Sequence, residues 1–264
     1  MPGPVRHRET VMGTVVTFDV YARPGTADVP LGDVGEQLAA AVGILHRTDE
    51  VFSTWKPDSP VSRLRRGELA ATEAPAEVAE VMMACAAARE ASGGWFDPWA
   101  MPGGFDPTGY VKGWAAQRAL TAFAADWIAG AIVNAAGDIA SWGRQPAGQP
   151  FRIGIADPAA PRQLTEIVEL TGSIATSGSY ERGTHLLDPW SGQPAARVAS
   201  ATVAGPDLGL ADALATALAV AGEAGLAFIE PLDEYEAMVI GFDGGKRRTR
   251  NFPTAADAAG TPAG

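Results

Sequence analysis

The pattern of apolar and polar positions predicts a mixture of strands and helices. Residues 11–22 (VMGTVVTFDVYA) are rich in Val and Thr and largely alternate in polarity, which is typical of a strand. Residues 31–51 carry Leu38, Val42 and Leu45 at helical spacing, and residues 75–92 predict a second helix. Further helices are predicted over 112–123 and 210–222, and further strands over 128–142, 151–156, 165–171, 197–204 and 236–242. Because strands and helices do not alternate regularly, we predict an α+β fold rather than a doubly wound parallel sheet.

The composition is that of a soluble globular protein. Hydrophobic residues make up 47% of the 264 positions and charged residues 19%. A chain of this size buries a sizeable core, either as one domain or as two intimately joined lobes. The 20 Lys and Arg against 31 Asp and Glu give a net charge of -11. This balance argues against a nucleic-acid partner, because binding to a phosphate backbone depends mainly on clustered basic residues.

The cysteine count and the absence of visible targeting signals limit the types of bonds, metal sites and cellular locations that we expect. Cys85 is the only cysteine, which excludes an intramolecular disulfide and a multi-thiolate metal site, and we expect it to be a small buried hydrophobe. No run of 18 apolar residues, signal-peptide core or lipid-attachment cysteine is visible. We therefore expect no membrane span and a cytoplasmic location. We also expect flexible segments at 1–10 and 249–264 around a single domain at 11–248.

Two short segments carry residue types suited to a phosphate or a metal ion. Residues 105–115 (FDPTGYVKGWA) place Asp106 in an Asp-Pro turn and Lys112 near a predicted helix start. Asp212 and Thr216 are four residues apart on an Ala- and Leu-rich helix, so their oxygens share one helical face. Magnesium takes such oxygens together with substrate phosphate. The same residues also fit a plain turn, an ion pair between Asp106 and Lys112, and a helix-dipole contact of Asp212.

Other residues are candidates for proton transfer and for stacking on a planar ligand. His185 is the natural proton-transfer candidate, because the other histidines lie in the N-terminal segment and the first helix. A packed, hydrogen-bonded histidine is the alternative. Trp55, Trp95, Phe96 and Trp99 cluster around Gly and Pro turns, which favours a planar-ligand site over core packing. A Ser-His-Asp hydrolase is disfavoured, because no Gly-x-Ser-x-Gly motif is present.

The order of these motifs along the chain resembles the ApbE family of magnesium-dependent FAD:protein FMN transferases. The resemblance runs from about residue 11 to about residue 242 and rests on MGT at 12–14, FSTWKPDSPVSRL at 52–64, GGWFDP at 93–98, FDPTGYVKGWA at 105–115, VNAAGD at 133–138, the segment at 174–194 and ADALATAL at 211–218. It implies a T-fold-like α+β structure with largely antiparallel sheets, packed helices and an FAD groove between two lobes. It also implies transfer of FMN from FAD to a threonine hydroxyl of an acceptor protein, with release of AMP.

The resemblance further implies a role for each matching residue. Met12 and Trp55 would pack on the isoalloxazine, and the groove would be lined by Trp95, Phe96 and Asp97. Contacts to FAD would come from Asp106 and Lys112. The cation would be held by the main-chain oxygen of Gly109 with Asp212 and Thr216, beside Ala215, and His185 and Leu186 would lie at the transfer site. The chain departs from the family pattern at Gln117, where an Asp is usual, and at Ala136, where a Gly is usual.

Two other functions stay open beside the transferase. An FAD pyrophosphatase would hydrolyse FAD to FMN and AMP, with water in place of the threonine. A non-catalytic FAD-binding protein would bind FAD without converting it. His185 and Asp212 are both candidates for accepting the threonine proton, and the sequence does not choose between them.

Overall fold

The computed structural model describes residues 3–25, 31–178 and 186–255. Within these residues, eight strands form one antiparallel sheet and two more form a separate antiparallel pair. In chain order the strands are β1 Val5–Val11, β2 Thr14–Ala22, β3 Ile128–Ala135, β4 Asp138–Gly143, β5 Phe151–Asp157, β6 Ala160–Leu170, β7 Ser173–Gly178, β8 Ser200–Gly205, β9 Glu236–Ile240 and β10 Lys246–Arg248. The helices are α1 Leu31–Phe52, α2 Pro60–Arg65, α3 Ala76–Ala91, α4 Thr108–Leu120, α5 Leu208–Ala221 and α6 Leu226–Ile229.

The large sheet is a meander with two helical insertions. Its strand order is β1-β2-β3-β4-β7-β8-β9-β10, and the β5–β6 pair stands between β4 and β7 in the chain. Helices α1 to α4 connect β2 to β3, whereas α5 and α6 connect β8 to β9. The α+β fold with largely antiparallel sheets is therefore confirmed, whereas the two-lobe groove implied by the resemblance stays a prediction.

Both faces of the central strands are buried. One face contributes Val133, Ala175, Val203 and Val239 to a core that also contains α1, α4 and α5. The opposite face contributes Ile174, Ala204, Met238 and Ile240 to a second core that contains Phe151, Ile155, Val168 and Leu170 of the β5–β6 pair. Because neither face meets water, β8 is buried at every residue and its sequence shows no alternation of polarity.

Small residues bring α4 and α5 into close contact. A Cβ atom on Gly113 of α4 would lie 2.4 Å from the backbone oxygen of Leu208, and one on Gly209 of α5 would lie 2.8 Å from the Tyr110 ring. Only glycine fits such distances, because real Cβ atoms do not approach other heavy atoms so closely. The two helices therefore cross with their backbones nearly touching, at the point where Lys112 and Asp212 face each other.

Helix α5 is the centre of the first core. Its buried positions include all its residues except Leu210 and Thr216. By length and composition alone, the stretch Leu208–Ile229 is apolar enough to cross a membrane, and the expectation of no membrane span stays a prediction. That expectation considered uninterrupted apolar runs, whereas Asp212 and Glu223 interrupt this one. In the fold, 67% of its most apolar window is buried inside the protein.

Several local features differ from the sequence predictions. The strand predicted over 11–22 is two strands, because Met12 and Gly13 adopt positive φ angles of 54° and 67° and turn the chain back. Strand β1 occupies most of the predicted flexible segment 1–10. Beyond β10, Phe252 is buried in the second core and the Ala255 N–H donates to the Ile167 oxygen over 2.8 Å. Residues 249–255 are thus packed rather than loose, because a sheet distant in sequence supplies their partners.

Candidate functional site

A cavity of about 840 Å³ opens at the N-terminal end of α4 and beside α5. This volume lies within the range of about 300–1,000 Å³ that is usual for ligand pockets. Its walls come from the β1–β2 turn, the segment after α1, the segment between α3 and α4, the first turns of α4, the β3–β4 turn, the end of β7, residues 186–187 and α5. Segments far apart in sequence therefore meet around one volume.

Most of the residues singled out from the sequence line this cavity. They are Trp55, Trp95, Phe96, Asp97, Asp106, Gly109, Lys112, Leu186, Asp212 and Thr216. Met12 is partly buried against the core and does not line the cavity, although Gly13 beside it does. Ala215 is fully buried in the core. His185 lies outside the described residues, so its role stays a prediction.

A lysine and two buried carboxylates are clustered at one side of the cavity. The Lys112 ammonium contacts the Asp138 carboxylate, and its Nζ lies 3.7 Å from Asp212 Oδ2. Asp212 Oδ2 also accepts a hydrogen bond from the Gly113 N–H over 3.3 Å, while Asp138 Oδ1 accepts one from the Thr176 N–H over 3.2 Å. Side-chain exposure is 22% for Lys112, 7% for Asp212 and zero for Asp138, so Lys112 is the most exposed of the three side chains.

Asp106 has a different partner from the one that its spacing suggested. Its Oδ2 accepts a hydrogen bond from Nη1 of Arg65 over 2.9 Å, and its Oδ1 accepts one from the Thr108 N–H over 3.1 Å at the start of α4. Arg65 also donates to the Pro102 oxygen. The suggested ion pair between Asp106 and Lys112 is thus replaced by one to Arg65. Asp106 fixes the first turn of α4 to the preceding loop and to α2.

The positions predicted to hold a cation lie next to one another. Asp212 and Thr216 occupy successive turns of α5, and a Cβ atom on Gly109 would lie 3.5 Å from Thr216 Oγ1. The neighbouring groups are a carboxylate, a hydroxyl and peptide oxygens, which are hard oxygen ligands of the kind that Mg²⁺ accepts. Among the described residues, no three His, Cys, Asp or Glu side chains gather around one point. The donor set therefore fits an ion that completes its shell with water and phosphate.

The aromatic residues divide between the cavity and the core. The Trp55 side chain lines the cavity and is 92% exposed, so its indole faces open solvent at the mouth. Trp95 packs edge-on against Trp190 with ring centroids 4.3 Å apart, and the Arg197 guanidinium lies 4.9 Å from the Trp95 ring centre. Trp99 packs on Phe105 instead of lining the cavity. Trp55 and Trp95 are the two tryptophans placed to meet a planar ligand.

The two departures from the family pattern have local explanations. The Gln117 side chain donates from Nε2 to the Pro206 oxygen over 3.1 Å and accepts the Leu208 N–H at Oε1, so it ties α4 to the first turn of α5. Ala136 has a φ of 54° in the β3–β4 turn, a conformation that glycine adopts with less strain. Asn134 Oδ1 steadies this turn by accepting the Gly137 N–H over 2.8 Å.

Sequence reasoning missed Asp138 and Arg65 as partners of site residues. Asp138 stood in the motif VNAAGD, and its signal was an acidic residue at the start of an otherwise apolar strand. Such a residue requires a partner once the strand is buried. Arg65 carried no comparable signal, since arginine at the end of a short helix is ordinary.

Comparison with known proteins identifies the family. Residues 12–103 and 100–239 match the ApbE family. A FAD:protein FMN transferase of Vibrio cholerae serotype O1 is 34% identical over 147 residues, which span 51% of this chain and 44% of the relative. A FAD:protein FMN transferase of Rhodobacter capsulatus is 34% identical over 123 residues, which span 43% of this chain and 23% of the relative. The aligned stretches thus span less than half of these relatives.

Solved structures show the same fold over nearly the whole chain. The ApbE protein of Thermotoga maritima superposes with a TM-score of 0.79 at 23% identity, covering 93% of this chain and 97% of that one. The apo form of the flavinyl transferase ApbE of Pseudomonas stutzeri superposes with a TM-score of 0.77 at 28% identity, covering 93% of both chains. On the match of both segments of its sequence, this chain belongs to the ApbE family.

Proposed function

We propose that the protein is a magnesium-dependent FAD:protein FMN transferase, which moves FMN from FAD to a threonine hydroxyl of an acceptor protein and releases AMP. The observation that carries the proposal is that Lys112, Asp212 and Thr216 face one large cavity with the exposed Trp55 at its mouth. Membership of the ApbE family supports it, as do curated relatives named FAD:protein FMN transferase.

The reaction is a substitution at one phosphorus of the FAD pyrophosphate. The threonine Oγ forms a bond to the phosphorus of the FMN half, and the bond from that phosphorus to the bridging oxygen breaks. AMP leaves with the bridging oxygen, and the threonine proton passes to a base. Such a transfer asks little covalent chemistry of the protein and depends on positioning and charge neutralisation.

The chain offers a group for each of these tasks. Lys112 would contact the phosphates with its ammonium, and Trp55 and Trp95, with Met12, would hold the isoalloxazine. Leu186 would border the transfer site. His185 and Asp212 are the candidates for accepting the threonine proton, and Asp212 already accepts the Gly113 N–H. These groups position the FAD so that the phosphorus of the FMN half faces the incoming hydroxyl.

A magnesium ion would explain how a protein of net charge -11 binds an anionic pyrophosphate. Asp212, Thr216 and the main-chain oxygen of Gly109 would hold the ion, beside Ala215. Bound there, it would supply positive charge to the pyrophosphate oxygens, which stabilises the transition state. Lys112 would add a second positive charge from its position beside Asp138.

The test is labelling of an acceptor protein of the FMN-binding-domain type. The protein is incubated with FAD, Mg²⁺ and the acceptor, and covalent flavin is detected by fluorescence on a denaturing gel while AMP is followed by chromatography. We expect labelling with one AMP released per flavin transferred, and loss of labelling in Asp212→Ala. Asp233→Ala, which removes an exposed carboxylate that does not line the cavity, is the matched control.

Each other outcome has a definite meaning. Release of FMN and AMP from FAD in the absence of acceptor, without labelling in its presence, would establish a pyrophosphatase instead. Tight FAD binding that ignores Mg²⁺ and yields no AMP would establish a binding protein. Full labelling by Asp212→Ala would contradict the assignment of the cation site.

A further inference from the structure

We propose that Asp138 is a positioning residue, whose carboxylate holds the Lys112 ammonium against the cavity wall so that it meets the FAD phosphates. The inference deepens the proposed function and rests on it for the identity of the ligand. Asp138 does not line the cavity, so it acts through Lys112 and not on FAD itself.

The location of Asp138 suits this role. It is the first residue of β4, fixed by the β3–β4 turn, and it has no exposed surface. One carboxylate oxygen, Oδ1, accepts the Thr176 N–H of the neighbouring strand β7. The other, Oδ2, has the Lys112 ammonium as its partner. The carboxylate is therefore oriented by the sheet on one side and by Lys112 on the other.

The charge arrangement makes Asp138 the closer anchor of the lysine. Lys112 contacts Asp138 directly, whereas Asp212 Oδ2 lies 3.7 Å from its Nζ. A divalent cation at Asp212 would repel the ammonium and weaken that second interaction. Asp138 does not line the cavity, so a cation bound there would not compete with Lys112 for its carboxylate. Lys112 thus stays in place while Asp212 takes part in cation binding.

A purely structural role makes a different prediction. If Asp138 only ties β4 to α4, its loss changes stability, and its effect on FAD adds to that of losing Lys112. If Asp138 positions Lys112, its loss has no further effect on FAD once the ammonium is gone. A double-mutant cycle on FAD affinity separates the two, because it isolates the interaction between the pair.

The experiment measures FAD affinity by quenching of tryptophan fluorescence, with and without Mg²⁺, in Asp138→Asn, Lys112→Met and the double variant. Asn keeps the size of Asp and an acceptor for the Thr176 N–H but removes the charge. We expect each single variant to bind FAD about 10- to 100-fold more weakly, the usual size for loss of a charged hydrogen bond. The double variant should match Lys112→Met within about twofold. Glu80→Gln is the control, because it disrupts the ion pair with Arg118 away from the cavity lining.

Two outcomes would overturn the proposal: unchanged FAD affinity in Asp138→Asn, or a double variant that loses the product of the two single effects. If Asp138→Asn alone does not fold, the double variant leaves no unpaired charge from this contact, and FAD binding by the double variant that is weaker than binding by Lys112→Met would still overturn the proposal. The binding readout needs no acceptor. If the wild-type protein binds FAD and the variants show the expected double-mutant cycle, but no FMN is transferred, only the proposed reaction is refuted. If the wild-type protein does not bind FAD, both the proposed reaction and the role of Asp138 are refuted.

Discussion

Replacing Gly113 by Ala is expected to push α4 and α5 apart. The new Cβ would lie 2.4 Å from the Leu208 oxygen and 2.8 Å from the Leu208 carbonyl carbon. Both are backbone atoms, so no side chain can rotate away. Reaching an ordinary contact of about 3.4 Å requires a shift of about 1 Å, and this shift must come from the helices themselves.

The magnitude follows from two opposing effects. Overpacking a filled core costs about 1–3 kcal/mol, and contact with backbone favours the upper end of that range. Replacing glycine by alanine inside a helix by itself stabilises the folded protein by about 0.5–1 kcal/mol. The free energy of unfolding should therefore fall by about 2 kcal/mol, which lowers the melting temperature by about 4–8 °C in a protein of this size.

Gly43→Ala in α1 is the matched control, because a Cβ atom there meets no heavy atom within 4 Å. It should raise the free energy of unfolding by about 0.5–1 kcal/mol. Urea unfolding followed by circular dichroism measures both variants. FAD affinity is a second readout, because Gly113 donates to Asp212 and follows Lys112. An increase in stability for Gly113→Ala equal to that for Gly43→Ala would refute the close crossing of α4 and α5.

Three further predictions follow from other parts of the fold. Trp55→Ala removes an indole that is 92% exposed, so calorimetry should show FAD affinity reduced about 5- to 150-fold, the loss of one stacking contact, at an unchanged melting temperature. Burial raises the pKa of the Cys85 thiol from 9.0 to about 12. The folded protein should therefore resist iodoacetamide at pH 8 and react after unfolding, and rapid native labelling would contradict this. Because the unfolded thiol ionises first, this thiol should lower the free energy of unfolding by up to about 1.4 kcal/mol per pH unit as the pH rises from 9.0 towards 12, so Cys85→Ala should show a correspondingly shallower pH dependence. Phe252→Ala should lower the free energy of unfolding by about 3–5 kcal/mol in urea titrations, whereas a loose C-terminal segment would give no change.

The sequence predicted the elements whose own pattern was sufficient. Helices α1, α3 and α5 lie close to their predicted ranges, and strand β2 lies within the predicted alternating stretch 11–22. Strand β7 was missed, because it is buried on both faces and its residues SIATSG show no alternation. Strand β10 was missed because its residues, Lys-Arg-Arg, are all exposed at the edge of the sheet. In these cases the strand is specified by its neighbours and not by its own composition.

Most of the predicted site residues line one cavity, whereas their ion-pair partners were not predicted. The order of motifs selected residues that the fold brings to one cavity, because each motif supplies one wall of it. The partners of Lys112 and Asp106 depended on distances between segments far apart in the chain, so spacing favoured a local pair between them. In the structure, Lys112 instead forms an ion pair with Asp138, and Asp106 forms one with Arg65.

The burial of α5 has a consequence for how this protein can change. The helix that presents Asp212 and Thr216 to the cavity is also the helix around which the first core is packed. A random substitution on it will more often unfold the chain than alter its reaction, so few functional variants should survive there. Laboratory evolution that alters the proposed flavin or acceptor preference should therefore accumulate its changes around Trp55 and at the exposed positions of residues 93–106 and 186–197, which border the cavity.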